Sequence, residues 1–236
     1  MALACAACPV RDRAACAVLN DNERETLARA GRTRRLKRGE LLFAAGDAQA
    51  SCATLVKGAL KVASVDEEGR ERILALVHPS GFIGELFAPF AHHDVVALTD
   101  SELCVFARAD MEQALTHHPK LTAALLRRSQ EDLHQSRLLL ELGGRRSASE
   151  KVGALLYGLA EAASGSPCHP AQSFELPLTR GEMAGMLGLT IETVSRTLTA
   201  FERDGVIRRD GARGIELVDP ARLGGSAEGR VPVQSR

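Results

Sequence analysis

Four cysteines pose the first chemical question. Cys5-x2-Cys8-x7-Cys16 lies in a short segment near the start, and Cys104 sits far downstream in Leu103 to Phe106, a run that reads as a strand. Thiolate is the ligand iron–sulfur clusters require, and three thiolates on a pliant loop can close with one on a rigid strand around such a cluster. Zinc would also accept four thiolates tetrahedrally, and a cysteine pair could cycle as a redox dithiol. Spacing alone leaves all three open. Cys52 begins another expected strand and reads as a small buried residue, while Cys168, between Pro167 and His169, reads as an incidental exposed thiol. The pairs His92-His93 and His117-His118 fall in a turn and near a helix start, where solvated polar residues are ordinary.

A second chemistry lies near the other end. Thr179-Arg180-Gly181-Glu182 has the spacing of a capping box and opens a helix that carries Met183, Ala184 and Leu187 inward and stops at Gly188. Thr190 then caps a second helix, Ile191 to Arg203, with Ile191, Val194, Leu198 and Phe201 as the expected buried stripe. Two short helices about a glycine turn make a helix-turn-helix, and Val206 to Leu217 behind it reads as a hairpin wing. If the stripe faces inward, Glu192, Ser195, Arg196 and Thr199 project outward, where a recognition helix meets base edges. Arginine can donate two bonds to guanine, a carboxylate can accept from cytosine N4, and serine suits polar or methyl groups. Glu192, Ser195 and Arg196 are therefore the candidate readers, with Thr190, Thr199 and Arg180 as further candidate DNA contacts. Between Leu178 and Arg213 six arginines face five acids, a net of only +1, so direct readout by a dimer has to supply much of the discrimination.

These residues need elements to hold them. From about Arg35 to Arg108 short apolar runs recur between glycines, as in a barrel or jelly-roll-like sandwich, with Asp66-Glu67-Glu68-Gly69-Arg70 as a hairpin turn. The basic run Arg32 to Arg38 reads as a solvated sheet edge. After Ala109 a helical pattern begins, Pro119 stands where a proline can open a helix, and Gly143-Gly144 should break it. Leu126, Leu133 and Leu140 recur every seven residues with small Ser129 and Ser136 between them, a pattern suited to a coiled-coil-like seam between two copies. One amphipathic helix lying on the β domain would show the same repeat. A further helix from about Ala148 to Ala163, capped by Ser147, and a short strand at Phe174 to Leu176 lead into the helix-turn-helix.

The expected organisation is a cysteine-rich sensor segment at 1–18, a β domain at 19–108, a dimerisation helix at 109–143, a DNA-binding domain at 144–222 and a disordered tail at 223–236. Thirty basic residues balance thirty acidic ones, so total charge does not announce nucleic acid. No apolar run approaches the roughly 20 residues that span a bilayer, and the first residues lack the features of a secretory signal, so the expected location is cytoplasmic and away from membranes. No nucleophile–base pair or His-rich ligand set at usable spacing favours an enzyme.

Leu187-Gly-Leu-Thr-Ile-Glu-Thr-Val-Ser-Arg-Thr-Leu198 resembles the recognition-helix signature of the Crp/Fnr family of bacterial regulators, and Arg38-Gly-Glu-Leu-Leu-Phe-Ala-Ala-Gly-Asp47 resembles the start of that family's β-roll. The resemblance implies an α+β fold: an N-terminal β-roll like a cyclic-nucleotide-binding domain, a long dimerisation helix and a C-terminal winged helix-turn-helix. It implies that Glu192, Ser195 and Arg196 read TTGAT-like half-sites of an inverted repeat, bound by a homodimer. Family members that bind cyclic nucleotides follow Gly-Glu-Leu with an Arg-Ser pair. Here Gly84-Glu85-Leu86 is kept, but the later stretch reads His92-His93-Asp94-Val95-Val96, so a cyclic phosphodiester would lack its counter-charge and no cyclic nucleotide is expected. The cysteine pattern resembles the oxygen-sensing Fnr branch, which implies a [4Fe-4S] cluster on Cys5, Cys8, Cys16 and Cys104. The alternative is a member of the family without a cluster, responsive to haem or nitric oxide or controlled by zinc or thiol redox state. By the same resemblance RNA polymerase is a partner, touched near Ile83 to Phe90 and Glu67 to Arg72.

Overall fold

Two 3₁₀ turns, Cys5–Ala7 and Ala15–Val18, lead into helix α1 (Asp21–Ala30) in a computed structural model that describes residues 5–144, 147–164 and 168–223. Of the tail expected at 223–236 only Leu223 is described, and it is buried at 2% exposure rather than disordered; 224–236, residues 145–146 and 165–167 and the first four residues of the sensor segment lie outside the described residues. Asn20 caps α1 in a full capping box with Glu23, a local signal that the expected organisation passed over.

Eight strands follow: β1 (Gly31–Leu36), β2 (Leu41–Phe43), β3 (Ser51–Lys57), β4 (Leu60–Val65), β5 (Glu71–Val77), β6 (Phe82–Ile83), β7 (Asp94–Ala97) and β8 (Ser101–Ala107). They form two antiparallel four-stranded sheets in the orders β1-β8-β3-β6 and β2-β7-β4-β5, which is the expected β-roll. The basic run of β1 lies on a sheet edge, and β6, only two residues long, escaped the apolar pattern. Asp66 closes the β4–β5 hairpin by accepting from the backbone N–H groups of Glu68 and Arg70 at 3.1 and 2.8 Å.

Strand alternation decides which residues reach the chemistry. Leu103 and Val105 of β8 point into the core with Leu36, Ala53, Leu55 and Leu60. Cys104, between them, must point to the other face. That face is covered by the N-terminal segment, α1, α2 (Arg108–His117) and the start of α3 (Pro119–Gly144), which pack Leu19, Leu27, Met111 and Leu121 around Cys52 and Phe106.

The long helix expected at 109–143 is two helices. Pro119 has no N–H to give, and the residue before a proline is pushed out of the helical region. His118 accordingly takes φ −125° and ψ 81° and separates α2 from α3. At the far end α3 runs on through Gly144 rather than stopping before it.

The chain divides into two compact units, Met1–Arg137 and Leu138–Arg236. The second holds α4 (Ala148–Ala163), β9 (Ser173–Glu175), α5 (Arg180–Leu187), α6 (Ile191–Arg203), β10 (Ile207–Asp210) and β11 (Gly214–Leu217), with a three-stranded sheet in the order β10-β11-β9. Ser147 caps α4 as expected, its hydroxyl accepting from the Glu150 N–H at 3.1 Å. Among the described residues no helix is long and apolar enough to cross a membrane.

Candidate metal centre and nucleic-acid interface

Cys5, Cys8, Cys16 and Cys104 border one cavity. Two short turns bring the first three there: the Arg11 N–H bonds the Cys8 carbonyl at 3.1 Å, the Ala14 N–H bonds that of Val10 at 2.9 Å, and Cys16 follows inside the turn Ala15–Val18. Val10 and Ala14 are buried against Val56 of β3, which fastens the segment to the sheet beside Cys104. Thr54, opposite Cys104 in the ladder, and Leu121 and Leu125 of α3 complete the wall.

The surroundings favour neutral thiols. Burial, followed by the neighbouring Cys8, Cys5 and Cys16, pushes Cys104 up to about 12. Burial and the neighbouring sulfurs also raise Cys5 and Cys16, while Arg24 opposes the rise. Four such groups side by side repel as thiolates unless a cation joins them. Among the described residues no three His, Cys, Asp or Glu side chains are placed to hold a single metal ion. The four cysteines border one shared space without gathering about a single ion.

Arg24 and Arg11, which spacing did not single out, are part of this wall. Arg24 is 8% exposed and donates to the Leu19 carbonyl at 2.7 Å, to those of Cys16 and Ala17 at 3.4 Å, and to Asp21 at 2.9 Å. It holds the turn that carries Cys16. Asp21 also accepts from Arg11 at 2.6 Å, so one carboxylate joins the two halves of the cysteine segment. No side-chain pattern marks Arg24, because most of its partners are backbone carbonyls.

Cys52 is fully buried and Cys168 exposed, as the sequence suggested. Around the kept Gly84-Glu85-Leu86, His92 Nδ1 meets the Glu85 carboxylate and His93 lies 4.0 Å from it. His118 sits 3.7 Å from Glu23, which also pairs with Lys120 at 2.6 Å.

In the second unit the helix-turn-helix forms by the expected signals. Thr179 Oγ1 accepts from the Glu182 N–H at 3.1 Å and the Glu182 carboxylate accepts from the Thr179 N–H at 2.7 Å. Gly188 takes the left-handed conformation at φ 63° and ψ 42°, which glycine adopts without steric penalty. Thr190 Oγ1 accepts from the Thr193 N–H at 3.2 Å to start α6. Val194, Leu198 and Phe201 are buried, but Ile191 is 53% exposed and not part of the stripe. It stands at the first position of α6, ahead of the turns that pack in the core.

Glu192, Arg196, Thr199, Thr190 and Arg180 are exposed and Ser195 is half-buried. Arg180 Nη1 donates to Ser195 Oγ at 3.4 Å, linking the start of α5 to the reading face, and Arg196 Nη2 donates to Thr193 Oγ1 at 3.3 Å. Its own backbone N–H, the Thr190 hydroxyl and then Arg196 hold the Glu192 carboxyl below the usual carboxylate range, so it is available as an acceptor only. In the wing, Arg208 pairs with Glu216 at 2.5 Å and Arg209 with Glu202 at 2.8 Å.

The heptad leucines stand out from their helix: Leu126, Leu133 and Leu140 are 63, 50 and 70% exposed. The face of α3 that packs on the β-roll carries Leu121 and Leu125 instead.

Comparison with known proteins follows the same division. Residues 33–118 match a family described as a cyclic nucleotide-binding domain, and residues 136–225 match a Crp-like helix-turn-helix domain. The chain is 35% identical over 236 residues to the transcriptional activator protein FnrL of Cereibacter sphaeroides, covering 97% of this chain and 95% of that one. It is 33% identical over 222 residues to the nitrogen fixation regulation protein FixK of Bradyrhizobium diazoefficiens, covering 93% and 92%. Among solved structures, FixK2 from Bradyrhizobium japonicum superposes with a TM-score of 0.73 at 24% identity over 82% of this chain and 95% of that one.

Proposed function

Because the chain belongs to the Crp/Fnr family of DNA-binding transcription regulators, we propose that it binds an inverted-repeat promoter site as a homodimer while Cys5, Cys8, Cys16 and Cys104 hold a [4Fe-4S] cluster, and releases that site in oxygen. One observation carries the sensing part: three thiols from the first sixteen residues and one from β8 border a single cavity. When bound, such a cluster supplies thiolate-ligated iron that oxygen can dismantle. Four cysteines that border one cavity without gathering about a single ion suit it better than a lone zinc, whose thiolate ligands sit about 2.3 Å from one ion.

The chain's own groups supply the rest. While the four thiolates are engaged, the segment from Cys5 to Val18 stays on β3 and β8, with Val10 and Ala14 packed on Val56. Once freed, Cys5, Cys16 and Cys104 reprotonate, since burial favours their neutral form, and the segment keeps its small apolar contacts and arginine hydrogen bonds without the cluster. The stripe of exposed Leu126, Ser129, Leu133 and Leu140 with half-buried Ser136 is the surface for the second copy. Two serines make this seam weaker than an all-leucine one, which suits a switch needing a bias of only a few kcal/mol.

On DNA, Arg196 donates to guanine and Glu192 accepts from cytosine, with Ser195 beside them, for TTGAT-like half-sites one turn apart. A cyclic nucleotide is not the input in this reading, because His92, His93 and Asp94 stand where a phosphate would need arginine and Glu85 already faces His92. Phe87 and Phe90, 86 and 55% exposed, lie in the stretch assigned to RNA polymerase, with the Glu67 to Arg72 hairpin as the second patch.

Purification under argon followed by visible spectroscopy, iron and sulfide analysis, sedimentation and DNA-binding anisotropy, before and after air, tests this. The expected result is a coloured protein with iron and sulfide, a dimer and tight binding to a TTGAT inverted repeat, all lost in air. A colourless anaerobic protein with an air-insensitive dimer overturns it.

A further inference from the structure

Leu121, Leu125 and Arg128 follow at i, i+4 and i+7, so they lie on one side of α3. The two leucines wall the cysteine cavity. Arg128, one turn on, keeps 22% of its side chain exposed. Its Nη2 donates to the Arg13 carbonyl and to Ser80 Oγ, each at 3.0 Å, and its Nη1 pairs with Glu131 at 3.0 Å. Arg13 belongs to the segment between Cys8 and Cys16. Ser80 is buried in the turn after β5, where it is the one non-glycine residue with positive φ (79°) among the described residues, and its N–H bonds the Leu55 carbonyl of β3 at 2.8 Å. One guanidinium thus joins the cysteine segment, the β-roll and the long helix.

We infer that Arg128 is the positioning residue through which the seating of the cysteine segment reaches the association stripe of α3; this rests on the reading above that cluster and dimer are linked. The guanidinium is a rigid planar fork, so two acceptors on separate elements set both the rotation and the depth of the helix at this point. At 3.6 residues per turn the stripe that starts with Leu126 and Ser129 centres roughly a quarter turn away from the Leu121–Leu125–Arg128 face. When the segment lifts, the Arg13 carbonyl leaves with it. A partly buried cation that loses an acceptor moves toward water, and the remaining bond to Ser80 alone no longer fixes the setting of α3 where the stripe begins. An association surface no longer held in one orientation must be ordered during binding, and its affinity falls.

The test is sedimentation equilibrium of the full chain, cluster-loaded under argon and again after air, for wild type, Arg128→Ala, Arg128→Lys and Ser80→Gly, with iron and sulfide measured on each loaded sample. For wild type the dimer dissociation constant should differ between the two states within the roughly 5- to 150-fold range of ordinary coupling. Arg128→Ala should load normally, yet its ratio should fall to within about twofold, below that range. Arg128→Lys keeps the charge without the fork and should recover part of the ratio. Ser80→Gly removes one acceptor at a backbone position glycine tolerates, so it should fold normally and reduce the ratio. An Arg128→Ala ratio equal to wild type overturns the proposal; should that variant not fold, unchanged ratios in both Arg128→Lys and Ser80→Gly do so. A wild-type dimer constant that ignores the cluster refutes the underlying reading, and the proposal with it.

Discussion

A Cβ on Gly84 would stand 2.9 Å from both the Cα and the Cβ of Cys52, which is fully buried in β3. Gly84 also has φ +127°, a conformation that side chains rarely adopt. The glycine of Gly84-Glu85-Leu86 therefore serves close packing between the strand and the turn that crosses it.

Gly84→Ala should accordingly lose about 2–4 kcal/mol, from backbone strain plus overpacking. Gly39→Ala, at φ +85° with nothing within 4 Å, isolates the strain and should lose roughly 1 kcal/mol. Urea unfolding with an unchanged m-value measures both, and equal losses would refute the steric part.

Burial pushes the Cys52 thiol up from 9.0 to about 12. The fold favours the protonated form, so this group's contribution to stability is intact below pH 9.0 and declines as pH rises toward about 12. At pH 8 its thiolate is about one part in ten thousand. With iodoacetamide and peptide mass mapping, exposed Cys168 should be modified in minutes and Cys52 only after unfolding. Comparable rates would show that β3 opens in the native state.

Arg24→Ala strips the donors from the Leu19 and Cys16 carbonyls and leaves Asp21 with Arg11 alone of the two arginines. Hydrogen bonds from a charged donor contribute about 1.5–3 kcal/mol each, and a loss of about 2–4 kcal/mol is expected in the melt of the metal-free protein. Iron incorporation should drop as well, since the turn carrying Cys16 is no longer held. A variant that melts and loads like wild type would remove Arg24 from the site.

Arg196→Ala should weaken binding to a TTGAT inverted repeat by about 1–3 kcal/mol per half-site and flatten the preference for guanine there, whereas Thr199→Ala should alter affinity with little change in preference. Anisotropy on sites with single-base changes separates the two. A uniform loss across all sequences for Arg196→Ala would make it a phosphate contact instead.

Leu133→Glu places a charge in the middle of the α3 stripe. Because Leu133 is half exposed in the single chain, the monomer's stability should change by less than about 0.5 kcal/mol. Sedimentation should show the dimer weakened by tenfold or more, about 1.4 kcal/mol. A dimer of normal strength would move the association surface off this stripe.

Local chemistry was legible without the fold. Thr179 with Glu182, Ser147 with Glu150, and Gly188 each act within a few residues, so their geometry follows from neighbours along the chain. The two-residue periodicity of β8, which sets Cys104 opposite the core-facing Leu103 and Val105, could have been read there but was not. His118 could have been read in the same way, because the proline after it dictates its backbone. Ile191 could not: helical period alone put it on the buried stripe, and only the packing of α6 shows that the core begins at Val194.

Which residues surround the cysteines was decided by tertiary structure alone. Arg24 and Arg128 bind backbone carbonyls, and every residue carries one, so no side-chain pattern marks those acceptors in advance. The sequence by itself determined which groups could ligate or read bases, because side-chain chemistry is a property of the residue. Only the folded chain decided that the three early thiols and Cys104 share one cavity, and that Arg128 on a helix with an exposed leucine stripe bonds the segment carrying those thiols. Such proximity comes from burying apolar surface such as Val10, Ala14 and Val56 between distant segments, a force that fixes no partner until the sheet is built.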